Sequence, residues 1–199
     1  MSALEKVLQK IPTYSQELKL DLRKPKDCFK WLLASVLFAK RISATIAKRT
    51  YSLFEAKGLT TPEAILRAGW DKLVEVLDAG GYVRYDFSTA STLLELAKQV
   101  KSLEGLEEIH RAAKDSRDLE RKLMKLRGVG PTAMNIFLRE LRGIWAKADP
   151  APSPLALQTA RKLGISRVRD FESALVRINL EYCKHQKCSN CPVLHFCKD

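Results

Sequence analysis

Apolar residues recur at intervals of three and four along nearly the whole of this 199-residue chain, whereas the alternation typical of strands is almost absent. Helix-end signals agree with that pattern: Gly58 and Gly164 follow helical segments, and Thr61-Pro62 combines an N-cap residue with a proline at the first helical position. We therefore predict an all-α fold. The predicted helices span residues 4–9, 27–40, 43–56, 62–68, 70–77, 88–100, 106–114, 117–125, 131–141, 155–163 and 168–182.

The chain has one proline-rich stretch, Asp-Pro-Ala-Pro-Ser-Pro at residues 149–154. It predicts an extended linker and a change of lobe, with one helical lobe at residues 25–143 and a second at residues 1–24 and 144–199. The sequence contains no run of eighteen apolar residues, and residues 1–15 lack the apolar core of a signal peptide. We expect a cytoplasmic protein that does not enter a membrane, associated with the nucleoid if the source is prokaryotic.

Four cysteines are concentrated in residues 183–197, with gaps of four, two and five residues between them: Cys183, Cys188, Cys191 and Cys197. Thiolates at such short spacing can wrap one small soft-metal centre, and the cytoplasm keeps thiols reduced. The spacing favours a [4Fe–4S] cluster. A zinc site is the second interpretation, although zinc sites more often pair two C-x2-C knuckles, and two disulfides are the third. The remaining cysteine, Cys28, is predicted to be a buried structural thiol.

The net charge of +12 indicates a polyanionic partner such as a nucleic acid. Residues 121–142 are especially basic, with Glu140 as their one acid. Within them, Leu126-Arg127-Gly128-Val129-Gly130 predicts a tight hairpin between two helices. Its glycines would let backbone N–H groups approach a phosphate, and the next helix would begin at Pro131 with its positive end facing the same phosphate. An ordinary corner between helices is the alternative.

These motifs resemble the endonuclease III superfamily of helix-hairpin-helix DNA glycosylases, in its iron–sulfur branch. The likeness covers nearly the whole chain in order: residues 31–40, the Gly80-Gly81-Tyr82 loop, the hairpin, an aspartate nineteen residues after Gly130, and the cysteine loop. The resemblance implies a six-helix barrel carrying the hairpin motif at about residues 119–141. It also implies a second lobe ending in a [4Fe–4S] loop at residues 183–197, with a DNA-binding cleft between the lobes.

The chain departs from the superfamily at several positions. The first cysteine gap has four residues where six are common, and Met134 stands where a small residue is usual. Thr132 occupies the position at which bifunctional members carry a lysine, and residues 150–154 replace a segment that usually contains a Thr/Val-His pair. The departures leave the subfamily open.

The resemblance implies that Asp149 is the catalytic carboxylate, which would stabilise positive charge on the sugar while the glycosidic bond breaks. Glu140 is a fallback candidate for the catalytic carboxylate. The structural alternative for Asp149 is that it caps a turn before Pro150. Because Thr132 cannot form a Schiff base, we predict a monofunctional glycosylase acting on a damaged or mismatched base flipped from double-stranded DNA. We expect a monomer.

Further DNA contacts follow from the same resemblance. Lys40 lies where relatives place a glutamine that probes the duplex, so it could contact DNA, enter the gap left by the base or act as a displaced nucleophile. The alternative is an exposed, solvated lysine. Tyr82 and Tyr85 are candidates to stack on the flipped base or wedge the gap, or else pack at a loop, and Arg84 could hold a phosphate. The remaining predicted contacts are Arg127, Gly128, Val129, Gly130 and Thr132 on the hairpin, and Lys184 and Lys187 on the cysteine loop. The two lysines of the cysteine loop could equally form a solvated face.

Two other functions remain open. The first is a non-catalytic module that recognises damaged or structured DNA, favoured by Thr132 and the unusual segment after Asp149. The second is a bifunctional glycosylase and abasic-site lyase that uses a displaced lysine such as Lys40.

Overall fold

All regular structure in the described part of the chain, residues 2–103 and 105–198 of this computed structural model, is helical. The prediction of an all-α protein is therefore confirmed. The α-helices are α1 (Ala3–Lys10), α2 (Tyr14–Glu17), α3 (Pro25–Phe38), α4 (Ala44–Ala56), α5 (Pro62–Ala79), α6 (Asp86–Ser102), α7 (Leu106–Ala112), α8 (Ser116–Met124), α9 (Pro131–Arg139), α10 (Pro154–Leu163) and α11 (Val168–Glu181). Short 3-10 turns follow at Cys183–His185, Cys188–Asn190 and Leu194–Phe196. Across the described residues, no helix is both long and apolar enough to cross a membrane.

The chain forms two compact units. The terminal unit combines Met1–Glu17 with Pro150–Asp199, and the central unit is Leu18–Asp149. The sequence had placed the divisions after residues 24 and 143. The six-helix barrel stays a prediction.

The central unit is built around α3, which is buried on nearly every side because its residues are almost uniformly apolar. It packs against α4, α7 and α9, while α5 packs along α6. The Trp31 indole N–H of α3 donates to the backbone oxygen of Phe137 in α9 (3.2 Å), so a polar atom in the core is satisfied. This bond ties the central helix to the helix that follows the glycine hairpin.

The predicted helices at 62–68 and 70–77 correspond to the two halves of α5, which meet at Gly69. The backbone of Gly69 is not helical (φ 75°, ψ 176°), so the predicted break at this glycine is confirmed. The sequence missed α2, whose single turn of four residues is too short to show a periodic pattern.

The terminal unit joins the first helix of the chain to the last two. Its apolar core includes Leu8 of α1, Ala160 of α10 and Leu175 of α11. Arg177 of α11 is buried, and its guanidinium donates to the Pro12 backbone oxygen (2.6 Å) and pairs with the carboxylates of Glu17 (2.9 Å) and Glu181 (3.0 Å). Its partners satisfy the buried charge, so residues 12–17 are held against α11.

Candidate nucleic-acid interface and cysteine centre

The glycine hairpin connects α8 to α9 in the central unit. Gly128 adopts φ 84°, and Val129 is buried, its N–H bonded to the Leu126 oxygen (3.1 Å). Gly130 is the N-cap of α9 and supplies no side-chain cap. Arg127, Gly128, Gly130 and Thr132 are exposed around the buried Val129. Val129 thus anchors the turn, while the positive end of α9 faces solvent.

The two glycines of the hairpin serve different needs. A Cβ on Gly128 would overlap the γ-methyl of Thr92 in α6 and lie 3.5 Å from Val36 Cγ1, so the fold itself requires glycine there. A Cβ on Gly130 would meet nothing within 4 Å, and its φ of −83° suits any residue. The fold therefore does not require glycine at 130. A close approach of backbone to a ligand is a physical reason for glycine at such a position.

Helix α6 fixes the hairpin from the other side. The backbone N–H of Arg127 donates to the side-chain oxygen of Gln99 (2.7 Å), and Arg127 itself is exposed. A hairpin held at its backbone by a neighbouring helix is preorganised for a ligand.

Asp149 lies at the surface of the central unit. Its side chain is 48% exposed, and its Oδ1 is 3.4 Å from Arg142 Nε. It borders an open pocket of about 420 Å³, which Trp145 and Gly143 also line. Asp149 follows the last turn of the central unit in a stretch without regular structure. Glu140, the fallback candidate, is partly buried at the C-terminal end of α9.

A second carboxylate near Asp149 was not anticipated from the sequence. Burial raises the pKa of Glu120 in α8, the negative charge of Asp149 raises it further, and Arg117 opposes the change. Glu120 and Asp149 are far apart in sequence, so no spacing signal could have paired them. The structure thus brings Glu120 close enough to Asp149 for their charges to interact, and Asp149 close to Arg142.

The segment before Asp149 is held by an aromatic stack. His110 of α7 stacks on Trp145 (ring centroids 4.7 Å apart, planes 11° apart), and Trp145 meets Phe137 edge-on at 5.5 Å. The Lys147 ammonium donates to the backbone oxygens of His110 (3.0 Å) and Arg111 (3.1 Å) at the end of α7. Burial lowers the pKa of His110, and the Lys147 charge adds to that effect. These contacts position the chain that carries Asp149.

Two of the predicted DNA contacts surround Tyr85. Lys40 Nζ lies 5.8 Å and Arg84 Cζ 5.5 Å from the centre of its ring. Within the described residues, neither cation forms an ion pair with an acid. The structure therefore brings together Lys40, Arg84 and Tyr85, which the sequence had named separately.

Tyr82 belongs to the core instead. Its ring is 0% exposed, its hydroxyl donates to the Leu37 backbone oxygen (2.7 Å), and burial raises its pKa. A ring packed in this way cannot stack on an extruded base, so its predicted role as a base wedge is replaced by packing. Tyr85, which meets it edge-on at 6.3 Å, is partly exposed and keeps that prediction.

The cysteine loop belongs to the terminal unit and winds through the three 3-10 turns. Cys183, Cys191 and Cys197 are half-buried against the apolar core of that unit, whereas Cys188 is exposed. Val193, buried within the loop, anchors it, and the Lys198 N–H closes it onto α10 through the Lys162 oxygen (2.8 Å). Lys184 and Lys187 lie exposed on this loop.

The four thiols are near one another. Burial raises the pKa of Cys183, and the charges of Cys191, Cys197 and Cys188 add to the effect, opposed by Lys162. All five cysteines of the chain are free thiols. Over the described ranges, no three Cys, His, Asp or Glu side chains are positioned as ligands of one metal ion.

No protein-family model matches this chain, and no curated protein matches it either. The resemblance to the endonuclease III superfamily therefore rests on the order and spacing of the motifs in this sequence, and the function has to be argued from the site.

Proposed function

We propose that this protein is a monofunctional base-excision DNA glycosylase, which hydrolyses the N-glycosidic bond of a damaged or mismatched base flipped out of double-stranded DNA. The observation that carries the proposal is the hairpin. It presents an exposed glycine backbone at a helix N-terminus without a side-chain cap, in the same compact unit as Asp149.

The hairpin suits a backbone phosphate. The first N–H groups of α9 have no acceptor within the helix, and the helix dipole favours a negative charge at that end. Gly130 leaves the approach open, and Arg127 adds a cation beside it. Such contacts fix the position of a duplex without reading its sequence, as a repair enzyme that scans DNA requires.

Asp149 would act on the sugar. Breaking the glycosidic bond develops positive charge at C1′, which a nearby carboxylate stabilises while it positions a water molecule. Its half-exposed position leaves it accessible to a nucleotide extruded from the duplex. Arg142 at 3.4 Å orients the carboxylate, and its charge competes with the sugar cation for the same oxygen. Bound DNA would exclude water from this site. The lower dielectric would then strengthen the interaction of the Asp149 carboxylate with either Arg142 or the sugar cation.

The hairpin offers no amine for covalent catalysis, since Thr132 stands at the start of α9. Water is then the nucleophile, and the product is an abasic site in an intact strand. The bifunctional alternative needs Lys40, which lies beside Tyr85. Borohydride would trap Lys40 on DNA if that alternative were correct, and Lys40→Arg would abolish the adduct.

The cysteine loop would hold a [4Fe–4S] cluster through Cys183, Cys188, Cys191 and Cys197. What supports the proposal is the chemistry of the donors, four free thiols on one short loop, three of them against an apolar core. The loop would have to draw these thiols together around the cluster, since the described side chains do not converge on one metal position. Its role would be structural, and it would place Lys184 and Lys187 near the DNA backbone. A zinc ion would use the same thiols, and analysis of the purified protein for iron, acid-labile sulfide and zinc distinguishes the two.

A non-catalytic DNA-binding module is the second candidate function. The observation that favours it is the contact of Asp149 with Arg142 at a half-exposed site, because a carboxylate paired with a guanidinium stabilises a sugar cation less well.

Base release from duplexes with single uracil, mismatched thymine, oxidised or alkylated bases tests the proposal, with and without alkali. We expect strand cleavage after alkali only, and Asp149→Asn should slow base release by about 100-fold or more while DNA affinity is kept. Asp78→Asn is the matched control, since Asp78 is an exposed aspartate of α5. Release at the wild-type rate by Asp149→Asn would refute the catalytic assignment, and binding without release on every lesion would favour the non-catalytic module.

A further inference from the structure

Three large apolar side chains are exposed in the central unit, and two of them, both aromatic, lie side by side where α5 packs along α6. Trp70 of α5 is 39% exposed, and Val83 and Phe87, which flank the start of α6, are each 60% exposed. The rings of Trp70 and Phe87 lie 5.4 Å apart with planes tilted by 31°. Trp70, Val83 and Phe87 are called the aromatic patch below. Exposed apolar side chains grouped in this way mark interaction sites.

The two rings of the aromatic patch are held in place by hydrogen bonds. The Trp70 indole N–H donates to the Ser91 hydroxyl (3.0 Å), which donates in turn to the Phe87 backbone oxygen (3.1 Å). Because its N–H is already satisfied, Trp70 offers a ring face rather than a polar atom. A ligand that stacks on these rings meets side chains already ordered, so the entropy lost on binding is small.

Cations lie next to the aromatic patch in the chain. Arg84 is between Val83 and Tyr85, and with Lys40 it flanks the Tyr85 ring. The nearest acids in sequence are Asp71 and Asp86, and Asp86 Oδ1 accepts the Phe87 backbone N–H (2.6 Å). Arg84 and Lys40 form no ion pair with an acid in the part of the chain that the structure describes. Exposed aromatic faces with available cations a few residues away in the chain match bases attached to phosphates better than they match an apolar protein surface.

We propose that the aromatic patch binds unpaired nucleobases of single-stranded DNA by stacking on Trp70 and Phe87, with Arg84 on a neighbouring phosphate. Base-to-ring stacking tolerates any sequence, because every base has a π face. The site is separate from the glycine hairpin in sequence and does not require Asp149 to be catalytic, so it goes beyond the proposed function.

The test measures the affinity of the full-length protein for a fluorescein-labelled oligodeoxythymidylate and for an undamaged duplex of the same length, by anisotropy. Phe87→Ala should weaken binding of the single strand roughly 5- to 150-fold, the range seen when one stacking ring is removed. Phe87→Tyr keeps a ring and should bind like wild type. Leu157→Ala removes a similarly exposed apolar side chain in the terminal unit (38% exposed) and should have no effect.

Tryptophan fluorescence gives a second readout. Trp31 and Trp145 are buried, so Trp70 is the tryptophan that a stacked base can quench. Unlabelled oligodeoxythymidylate should quench wild type but not Trp70→Leu. Absence of quenching, or of single-strand binding by wild type, would overturn the proposal, as would equal weakening of both DNAs by Phe87→Ala. Asp149→Asn should retain single-strand affinity, so failure of this proposal is separable from failure of the base-excision proposal.

Discussion

Substitution of Gly128 by alanine should destabilise the central unit through two separate effects. The φ of 84° lies in the left-handed region, which costs a residue with a Cβ about 1–2 kcal/mol. The new methyl group would also overlap the γ-methyl of Thr92, and overpacking of this kind costs about 1–3 kcal/mol. Alanine also reduces the conformational entropy of the unfolded chain, which raises the free energy of unfolding by about 0.4–1 kcal/mol. We expect a net loss in the free energy of unfolding of about 1 to 4.5 kcal/mol.

The two effects can be separated by a second substitution. Thr92→Ser removes the obstructing methyl but keeps the hydroxyl, which donates to the Ser88 oxygen (2.8 Å). Alone it should cost about 1 kcal/mol. In the double mutant with Gly128→Ala, Thr92→Ser should remove the stability loss caused by overpacking but not the loss caused by backbone strain. The double-mutant cycle should therefore show a favourable coupling energy of about 1–3 kcal/mol.

Urea denaturation followed by tryptophan fluorescence is the assay, because Trp31, Trp70 and Trp145 all belong to the central unit. Gly130→Ala is the matched control for Gly128→Ala. Its methyl group meets no neighbour, so stability should be unchanged or slightly raised, while duplex binding should fall about tenfold or more through loss of one charge-assisted hydrogen bond. A Gly128→Ala protein as stable as wild type, or a cycle without coupling, would refute the assignment of Gly128 to the fold.

Two further predictions concern titratable groups. Burial raises the pKa of Cys28 to about 12, and its thiol donates to the Leu22 oxygen (3.1 Å), so at pH 8 its thiolate fraction is on the order of one in ten thousand. Mass spectrometry after alkylation of chelator-treated protein should find Cys28 unmodified until denaturant is added, and labelling of the native protein would contradict its burial. The pKa of His110 is lowered in the native state, so its contribution to stability is complete above the ordinary value of about 6.5 and is lost as the pH falls through the native pKa. His110→Phe keeps a ring on Trp145 and should reduce the difference in urea midpoint between pH 7.5 and pH 5. An unchanged difference would show that groups other than His110 cause this pH dependence.

The sequence predicted most helices because their signals are local. Ser43 and Thr61 are N-cap residues, and the hydroxyl of each accepts a hydrogen bond from the backbone N–H three residues later. Gly164 ends α10 in the left-handed conformation. The break at Gly69 is a local signal of the same kind, because a glycine permits the left-handed φ of 75° that separates the two halves of α5.

The sequence could predict only those parts of the candidate site whose residues lie close together in the chain. The hairpin glycines and the cysteines are close in sequence, and backbone geometry fixes most of their surroundings. The surroundings of Tyr82, Glu120 and Asp149 depend on contacts between distant segments. A tyrosine after two glycines could face either solvent or core, and the burial of Tyr82 and its hydrogen bond to Leu37 in α3 show that it faces the core.

The composition of the terminal unit has a consequence for the order in which this chain acquires structure during translation. Helix α1 and residues 12–17 leave the ribosome before the central unit, yet their partners in α11, including Arg177, are synthesised only after it. The central unit can close its own core in that interval, because its contacts lie within residues 18–149. The first segment meanwhile has an amphipathic helix with no partner, and joining it to α11 requires closure of a loop that spans most of the chain. We therefore expect the terminal unit to be the last to form, and the cysteine loop to be organised only after the central unit has folded.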